Sequence, residues 1–275
     1  MATGFRAATV RERAEREIHM LERPPRPTVG YFYKYSAADH LEWLESIILK
    51  NELYFPTLIK LNDPADARPR LAAPSPESFV EAVGRLLGYQ GKEYQQFASE
   101  TKRTIEKHGI DPLLRGMTIS YHREQNNQRV YSLSKRWDNM SLWTKYAGDH
   151  SGYCLKFAND GPPFTSAYEV IYDGPVTIDI TDEAQINAHY PFHKSKDWRC
   201  EEEVRILTLR GSPPLVTFDP KLLTRIILGK DMVEAHRTTI REWAQKRCPE
   251  LVVVCAEYDA FEQRLIVGDP VVSGT

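Results

Sequence analysis

Three consecutive glutamates lie in the most specific string of the chain, Trp198-Arg199-Cys200-Glu201-Glu202-Glu203-Val204-Arg205. Val204 and Ile206 recur at every second position, which predicts a strand over 202–209. A side-chain period of two then places Glu201, Glu203 and Arg205 on one face, with the two carboxylates about 7 Å apart. The neighbouring guanidinium favours ionised carboxylates, so the pair is suited to holding a sugar hydroxyl or a cation. The alternative is an edge strand whose salt-bridged charges discourage unwanted pairing.

Two serines and two aromatic residues form a second candidate group. Ser132 and Ser134 share one face of a strand predicted over 129–134, so both hydroxyls point into the same space. Trp143 and Tyr146 are three residues apart on a predicted helix over 141–147 and therefore lie on one side of it. Aromatic walls beside small hydroxyls suit a flat heterocycle or a base. Ordinary packing of the helix against the core is the alternative explanation.

A lone cation and a cluster of oxygen ligands complete the candidates. Lys34 is the only charged residue of the aromatic run Tyr31-Phe32-Tyr33-Lys34-Tyr35, where it either contacts a phosphate or extends to the surface. Asn62, Asp63 and Asp66 offer oxygen atoms of the kind that bind a hard cation. The Asn-Asp-Pro string is also typical of a tight turn, which we favour.

The elements that position these residues follow from hydrophobic periodicity. Helices are predicted over 37–50, 141–147 and 233–244, with a helical hairpin over 76–108. From Met117 onward the predicted secondary structure is mainly strand. Strands are predicted at 31–35, 53–55, 129–134, 153–157, 169–172, 176–180, 202–209, 215–218, 224–228, 251–255 and 264–267. The pattern indicates a mixed α+β fold in which 31–275 form a single catalytic-like domain with a helical insertion at about 76–110. Residues 1–30, rich in arginine, glutamate and proline, are predicted to be a charged arm followed by a stiff linker.

Composition excludes several classes of protein. The 275 residues carry a formal net charge of −2, which implies no general attraction to nucleic acid or to an anionic membrane. No apolar run approaches the roughly 18 residues of a membrane span, and Met1 to Arg16 contain no apolar segment of a signal peptide. The four cysteines form no Cys-x-x-Cys pair, so a disulfide scaffold or a thiolate zinc site is not indicated. We expect a cytoplasmic protein with no membrane partner.

Taken in order, these strings resemble an uncharacterised bacterial domain-of-unknown-function family, the DUF two-nine-seven-one type. The resemblance covers roughly residues 31–230. Its pieces here are Tyr33-Lys34-Tyr35, Leu53-Tyr54-Phe55, Asn62-Asp63-Pro64 with Asp66, Ser132 with Trp143, Tyr146 and Ala147, then His150, Gly152, Phe157, Trp198, Glu201, Glu203, Arg205 and Ile226 to Gly229. This resemblance implies no activity.

The chain is also similar to ADP-ribosyltransferases of the Arg–Ser–Glu type. Those enzymes carry a basic residue on an early strand, a Ser-x-Ser strand in the middle and a Glu-x-Glu pair late in the chain. Lys34, Ser132-Leu133-Ser134 and Glu201-Glu202-Glu203 occur in that order, with lysine in place of the usual arginine and Ser-Leu-Ser in place of Ser-Thr-Ser. The resemblance implies a mixed or antiparallel split sheet flanked by helices.

The same resemblance implies NAD as substrate and assigns roles to single residues. Glu203 would hold the ribose and stabilise the oxocarbenium-like charge that develops when nicotinamide leaves, while Glu201 would orient the acceptor. Lys34 and Arg205 would contact the pyrophosphate, with Tyr33 lining the same cleft. Ser132 and Ser134 would brace the site, and Tyr146 or Trp143 would stack on nicotinamide. The implied enzyme is a bacterial toxin or phage-defence effector with a protein or nucleic-acid acceptor and an antitoxin or defence-system partner, and it needs no metal.

Two other functions remain open from the residues alone. One is a metal-dependent phosphodiesterase or nuclease that gathers Asp63, Asp66, Glu201 and Glu203 around Mg²⁺. The other is a noncatalytic module that senses a nucleotide in the aromatic cleft. The transferase hypothesis makes a structural prediction of its own: Tyr33–Lys34, Ser132–Ser134 and Glu201–Glu203 come from adjacent strands and line one cleft.

Overall fold

The computed structural model describes residues 24–125, 127–174, 176–182, 185, 190–247 and 251–268. Residues 1–23 of the predicted charged arm lie outside the described residues. The described chain forms two compact units. The larger unit contains 25–60, 127–170 and the described residues from 197 onward, and the smaller unit contains 61–125 and the described residues of 171–196.

The fold is mixed α+β, as predicted. Its strands are β1 (Tyr31–Ser36), β2 (Glu52–Tyr54), β3 (Arg70–Ala72), β4 (Val130–Ser134), β5 (Tyr153–Ala158), β6 (Tyr168–Glu169), β7 (Ile171–Gly174), β8 (Thr177–Asp179), β9 (His193–Ser195), β10 (Glu203–Leu207), β11 (Leu215–Thr217), β12 (Leu223–Leu228), β13 (Val252–Asp259) and β14 (Arg264–Val267). Its α-helices are α1 (Leu41–Glu45), α2 (Pro76–Leu86), α3 (Gly91–His108), α4 (Asp111–Gln125), α5 (Met140–Tyr146) and α6 (Glu234–Arg247). None of the helices in the described part of the chain is both long and apolar enough to cross a membrane.

An eight-stranded sheet in the order β14-β13-β12-β5-β1-β4-β10-β6 forms the centre of the larger unit. The β12–β13 pair is parallel and the other neighbours are antiparallel, so the sheet is mixed. The parallel pair is connected through α6, because a parallel pair needs a crossover that a tight turn cannot provide. A separate antiparallel pair of β2 and β11 completes the strands of this unit.

Alternation along the strands gives the sheet two apolar faces. Phe32 and Phe157 lie opposite each other on the face that carries the main core, and both are fully buried. Burial of each phenyl ring contributes about 1.5–3 kcal/mol relative to an exposed side chain. Tyr35 and Cys154 are also cross-strand partners, on the other face, where α5 supplies Trp143 to a smaller core. Functional side chains on this second face therefore adjoin α5.

The smaller unit consists of α2, α3 and α4 with the parallel pairs β3–β8 and β7–β9. The predicted helical hairpin is confirmed as α2 and α3, but the prediction of strands from Met117 onward is wrong, because Met117 lies in α4. The Thr118 hydroxyl accepts a hydrogen bond from the Leu71 backbone N–H at 3.2 Å, and His122 Nε2 lies 2.8 Å from the Pro69 carbonyl oxygen. Tertiary packing against the segment around β3 thus overrides the local preference for strand.

Candidate functional site

Five adjacent strands place one residue each in a line across the second face of the large sheet. In the strand order β12, β5, β1, β4 and β10 these residues are Arg225, Lys156, Tyr33, Ser134 and Glu203, each directly paired with the next. Directly paired residues point to the same face, and we call this line the polar row. Neighbouring strands are about 4.8 Å apart, so the row spans about 14 Å between the Cα atoms of Lys156 and Glu203.

Glu203 is held by a buried bidentate ion pair at one end of the row. Arg205 Nε donates to Oε1 at 2.7 Å and Nη2 donates to Oε2 at 3.0 Å, as expected for two residues on one strand face. Arg205 is 0% exposed and Glu203 is 5% exposed. The two parallel hydrogen bonds fix the plane of the carboxylate.

Glu201 reaches the same region by a different route from the one predicted. The structure ends a 3-10 helix at Glu201 and begins β10 at Glu203, with Glu202 at φ 44° in the left-handed region between them. The left-handed residue breaks the two-residue alternation, so the prediction of a strand face that includes Glu201 is wrong. The Tyr146 hydroxyl nevertheless donates to Glu201 Oε1 at 2.8 Å, and the Ser134 hydroxyl donates to the Glu201 carbonyl oxygen at 2.9 Å.

The two serines share the face of the polar row, as predicted, but their surroundings differ. The buried Ser134 hydroxyl donates to the Glu201 carbonyl and accepts from the Arg136 backbone N–H at 3.2 Å, so it connects β4 to the segment that precedes β10. Ser132 lies directly opposite Arg205, and its hydroxyl oxygen is buried. Within the described residues that oxygen has no hydrogen-bond partner, a condition that costs about 1–3 kcal/mol when nothing else satisfies the group.

Lys34 lies on the opposite side of β1 from Tyr33. Its ammonium group donates to the Ser132 carbonyl oxygen at 3.0 Å and lies 4.9 Å from the centroid of the Tyr131 ring. Burial lowers the pKa of Lys34, and the charges of Glu203 and Glu201 partly oppose that shift. Alternation along β1 therefore separates Lys34 from the face that carries Tyr33, and its predicted contact with the pyrophosphate does not fit this placement.

Trp143 and Tyr146, the two aromatic residues predicted to line the site, lie in different surroundings. Trp143 is 0% exposed, its indole N–H donates to the Trp137 carbonyl at 2.8 Å, and its ring meets the edge of Tyr35 with centroids 5.4 Å apart. Its faces are therefore covered by the core, and helix packing is the explanation that holds for Trp143. Tyr146, which donates to Glu201, and Tyr33, a member of the polar row, are both half-buried. Burial, followed by the influence of Cys154, raises the pKa of the Tyr33 hydroxyl.

Sequence reasoning missed two cations at the other end of the row. Lys156 and Arg225 are directly opposite each other on β5 and β12 and are half-buried. The Lys156 ammonium lies 3.6 Å from the centroid of the Tyr31 ring. Burial and then the charge of Arg225 lower the pKa of Lys156. The sequence pattern that singled out Lys34 could also have found them, because Lys156 is the only charged residue of β5 and Arg225 is the only charged residue of β12.

The four carboxylates of the metal hypothesis are divided between the two units. Asp63 accepts a hydrogen bond from the Ala65 N–H at 2.9 Å, which is consistent with the tight turn predicted for the Asn-Asp-Pro string. The Asp66 carboxylate lies 3.4 Å from the Lys194 ammonium. Both belong to the smaller unit, whereas Glu201 and Glu203 belong to the larger. Over the described ranges, no three His, Cys, Asp or Glu side chains are grouped so that they could hold a metal ion.

Comparison of the chain with protein-family models, with curated proteins and with solved structures finds no match. The two resemblances drawn from the sequence therefore remain predictions.

Proposed function

We propose that the chain is an ADP-ribosyltransferase-like, NAD-consuming enzyme whose reaction takes place along the polar row. The observation that carries this proposal is the pairing of Tyr33 with Ser134 and of Ser134 with Glu203 on three adjacent strands. The early basic–aromatic string, the Ser-x-Ser string and the Glu-x-Glu string are far apart in sequence, yet each contributes one residue to neighbouring strands on one face of the sheet. This convergence supports a split-sheet fold of the transferase class.

Glu203 is the residue proposed to stabilise the transition state. The bond between the ribose C1′ and the nicotinamide nitrogen breaks with its electron pair leaving on nicotinamide, and positive charge develops on the ribose. A fixed carboxylate placed against that charge stabilises it without having to reorganise. The two hydrogen bonds from Arg205 provide this rigidity, and the Glu203 carboxylate is proposed to accept a hydrogen bond from a ribose hydroxyl.

Glu201 is proposed to act on the acceptor. Its Oε1 accepts a hydrogen bond from Tyr146 at 2.8 Å, which orients the carboxylate. The acceptor oxygen or nitrogen forms the new bond to C1′ and passes its proton to Glu201. We propose a cytoplasmic toxin or phage-defence effector whose acceptor is a protein or a nucleic acid and which acts with an antitoxin or defence-system partner.

The proposal is tested by incubating the purified chain with NAD labelled in its adenine, in the presence of a bacterial lysate. We expect release of nicotinamide and covalent attachment of the label to a macromolecule. Glu201→Gln should reduce label transfer while sparing NAD hydrolysis. Glu202→Gln is the matched control, because that half-buried neighbour pairs only loosely with Arg136, at 3.5 Å. Binding of NAD without nicotinamide release would contradict catalysis and indicate a binding module.

A further inference from the structure

We infer that Lys156 and Arg225 form the binding site for the diphosphate of a dinucleotide, on the opposite side of Tyr33 from Ser134 and Glu203. This inference rests on the proposed function in one respect, because NAD is the dinucleotide that would place its ribose at Glu203. The diphosphate-binding site itself stands on the positions of the two cations.

Two like charges face each other at this place in the sheet. Residues directly opposite on antiparallel strands have Cβ atoms about 4.5–5.5 Å apart, and like charges there destabilise the pair. Within the described residues, neither Lys156 nor Arg225 forms an ion pair with a carboxylate. Asp138 is the acid whose charge also acts on Tyr33, and it is held by Arg136 through two hydrogen bonds of 2.9 and 3.1 Å. A bound dianion would relieve the repulsion.

A bulge in β12 produces this alignment. Leu223 pairs with Phe157 and Arg225 pairs with Lys156, so Thr224 is an extra residue on β12 with no partner of its own in the ladder. If the register continued unchanged from the Leu223–Phe157 pair, Thr224 would lie opposite Lys156 and the Arg225 side chain would point to the other face. Bulges commonly redirect a side chain next to a binding site, and here the bulge adds the second cation to the polar row.

The surroundings suit a nucleotide more than an isolated metal or an apolar ligand. Lys156 and Arg225 are half-buried, so a ligand can still reach them. Tyr31, on the same face as Tyr33, is 43% exposed and contacts the Lys156 ammonium through its ring. About 14 Å separates the Cα atoms of Lys156 and Glu203, whose side chains lie on the same face of the sheet. A diphosphate at one end and a ribose at the other would fit this span.

A diphosphate site at Lys156 and Arg225 is also consistent with the position of Lys34. The resemblance assigns the phosphate contact to that residue, but Lys34 lies on the opposite side of β1 and donates to a backbone carbonyl. Lys156 is the cation that β5 places directly opposite Tyr33. The chain would therefore bind the diphosphate with strands β5 and β12 rather than with β1.

Isothermal titration of the full chain with ADP-ribose and with inorganic pyrophosphate tests the inference. Lys156→Met and Arg225→Met should each weaken binding of both ligands at least tenfold, and added salt should weaken binding to the wild type. Lys221→Met, at an exposed lysine of the same unit, is the control and should bind as the wild type does. Thermal unfolding monitors the fold, and both test variants should melt at or above the wild-type temperature because one of two like charges is gone.

The outcomes separate the inference from the proposed function. Wild-type affinity in both folded methionine variants, or no binding of either ligand to the wild type, would overturn the diphosphate site. Binding of ADP-ribose that depends on Lys156 and Arg225, with no nicotinamide released from NAD, would retain the site and overturn the enzyme. Nicotinamide release with unchanged ADP-ribose affinity in the variants would retain the enzyme and overturn the site.

Discussion

Glu203→Gln is the substitution whose effect on stability follows most directly from the structure. The amide keeps the shape of the carboxylate but leaves the guanidinium of Arg205, which is 0% exposed, opposite a neutral group. Removing one partner of a buried ion pair typically costs about 3–5 kcal/mol. Domains of this kind are stable by only about 5–15 kcal/mol, so the free energy of unfolding should fall by a large fraction.

Urea unfolding followed by far-ultraviolet circular dichroism measures this loss. Arg205→Met alone should be strongly destabilising as well, whereas the double variant should lose much less than the sum of the two single losses, because neither buried charge remains. Glu202→Gln should stay within about 0.5 kcal/mol of the wild type. A loss below about 1 kcal/mol for Glu203→Gln, or additive losses in the double variant, would refute the account of a tightly coupled buried pair.

Three further experiments test the packing, the buried charge and the hydrogen bonds described above. In Gly229→Ala the new methyl would lie 2.0 Å from the His150 carbonyl oxygen, so we expect at least about 1–3 kcal/mol of destabilisation in urea unfolding. Gly30→Ala is the control and should be nearly neutral, because its methyl would meet nothing within 4 Å. An equal loss in both variants would contradict the proposed clash at Gly229. Burial lowers the pKa of Lys34 in the folded chain. At a pH between this lowered value and the unfolded value of about 10.4, the unfolded chain binds more protons than the folded chain does. The contribution of Lys34 to the free energy of unfolding therefore rises with pH over that interval. The rise measured from pH 8 to 10 should therefore be smaller in Lys34→Met than in the wild type, and parallel curves would refute the assignment. Ser132→Ala should leave the free energy of unfolding unchanged or raise it, because the Ser132 hydroxyl has no hydrogen-bond partner within the described residues. Ser134→Ala should lower it by about 1–2 kcal/mol, because the substitution removes a buried hydrogen bond to Glu201. A larger loss for Ser132→Ala than for Ser134→Ala would contradict these hydrogen-bond assignments.

The parts of the site that sequence could predict are those that depend on local periodicity. Alternation alone placed Ser132 with Ser134 and Glu203 with Arg205, and both pairs share a strand face in the structure. The position of Glu201 could not be predicted in the same way, because a single left-handed residue, Glu202, interrupts the strand period.

The remaining misses depend on contacts between distant segments. The meeting of Lys156 with Arg225 is a matter of register between β5 and β12, and the bulge at Thr224 changes that register by one residue. A one-residue shift moves a side chain to the other face of the sheet, and no local pattern in β12 reveals it. Likewise, α4 forms around Thr118 because of its packing near β3, against a sequence that favours a strand.

The decisive comparison is nicotinamide release from NAD by the wild type and by folded Glu203→Gln. It should be made at a temperature where circular dichroism shows both proteins folded. We expect release by the wild type in the presence of lysate and a rate about 10²–10³ lower in the variant, because one preorganised charge is lost from the transition state, with NAD affinity nearly unchanged. Intact NAD after incubation with the wild type, or full activity in folded Glu203→Gln, would contradict this expectation.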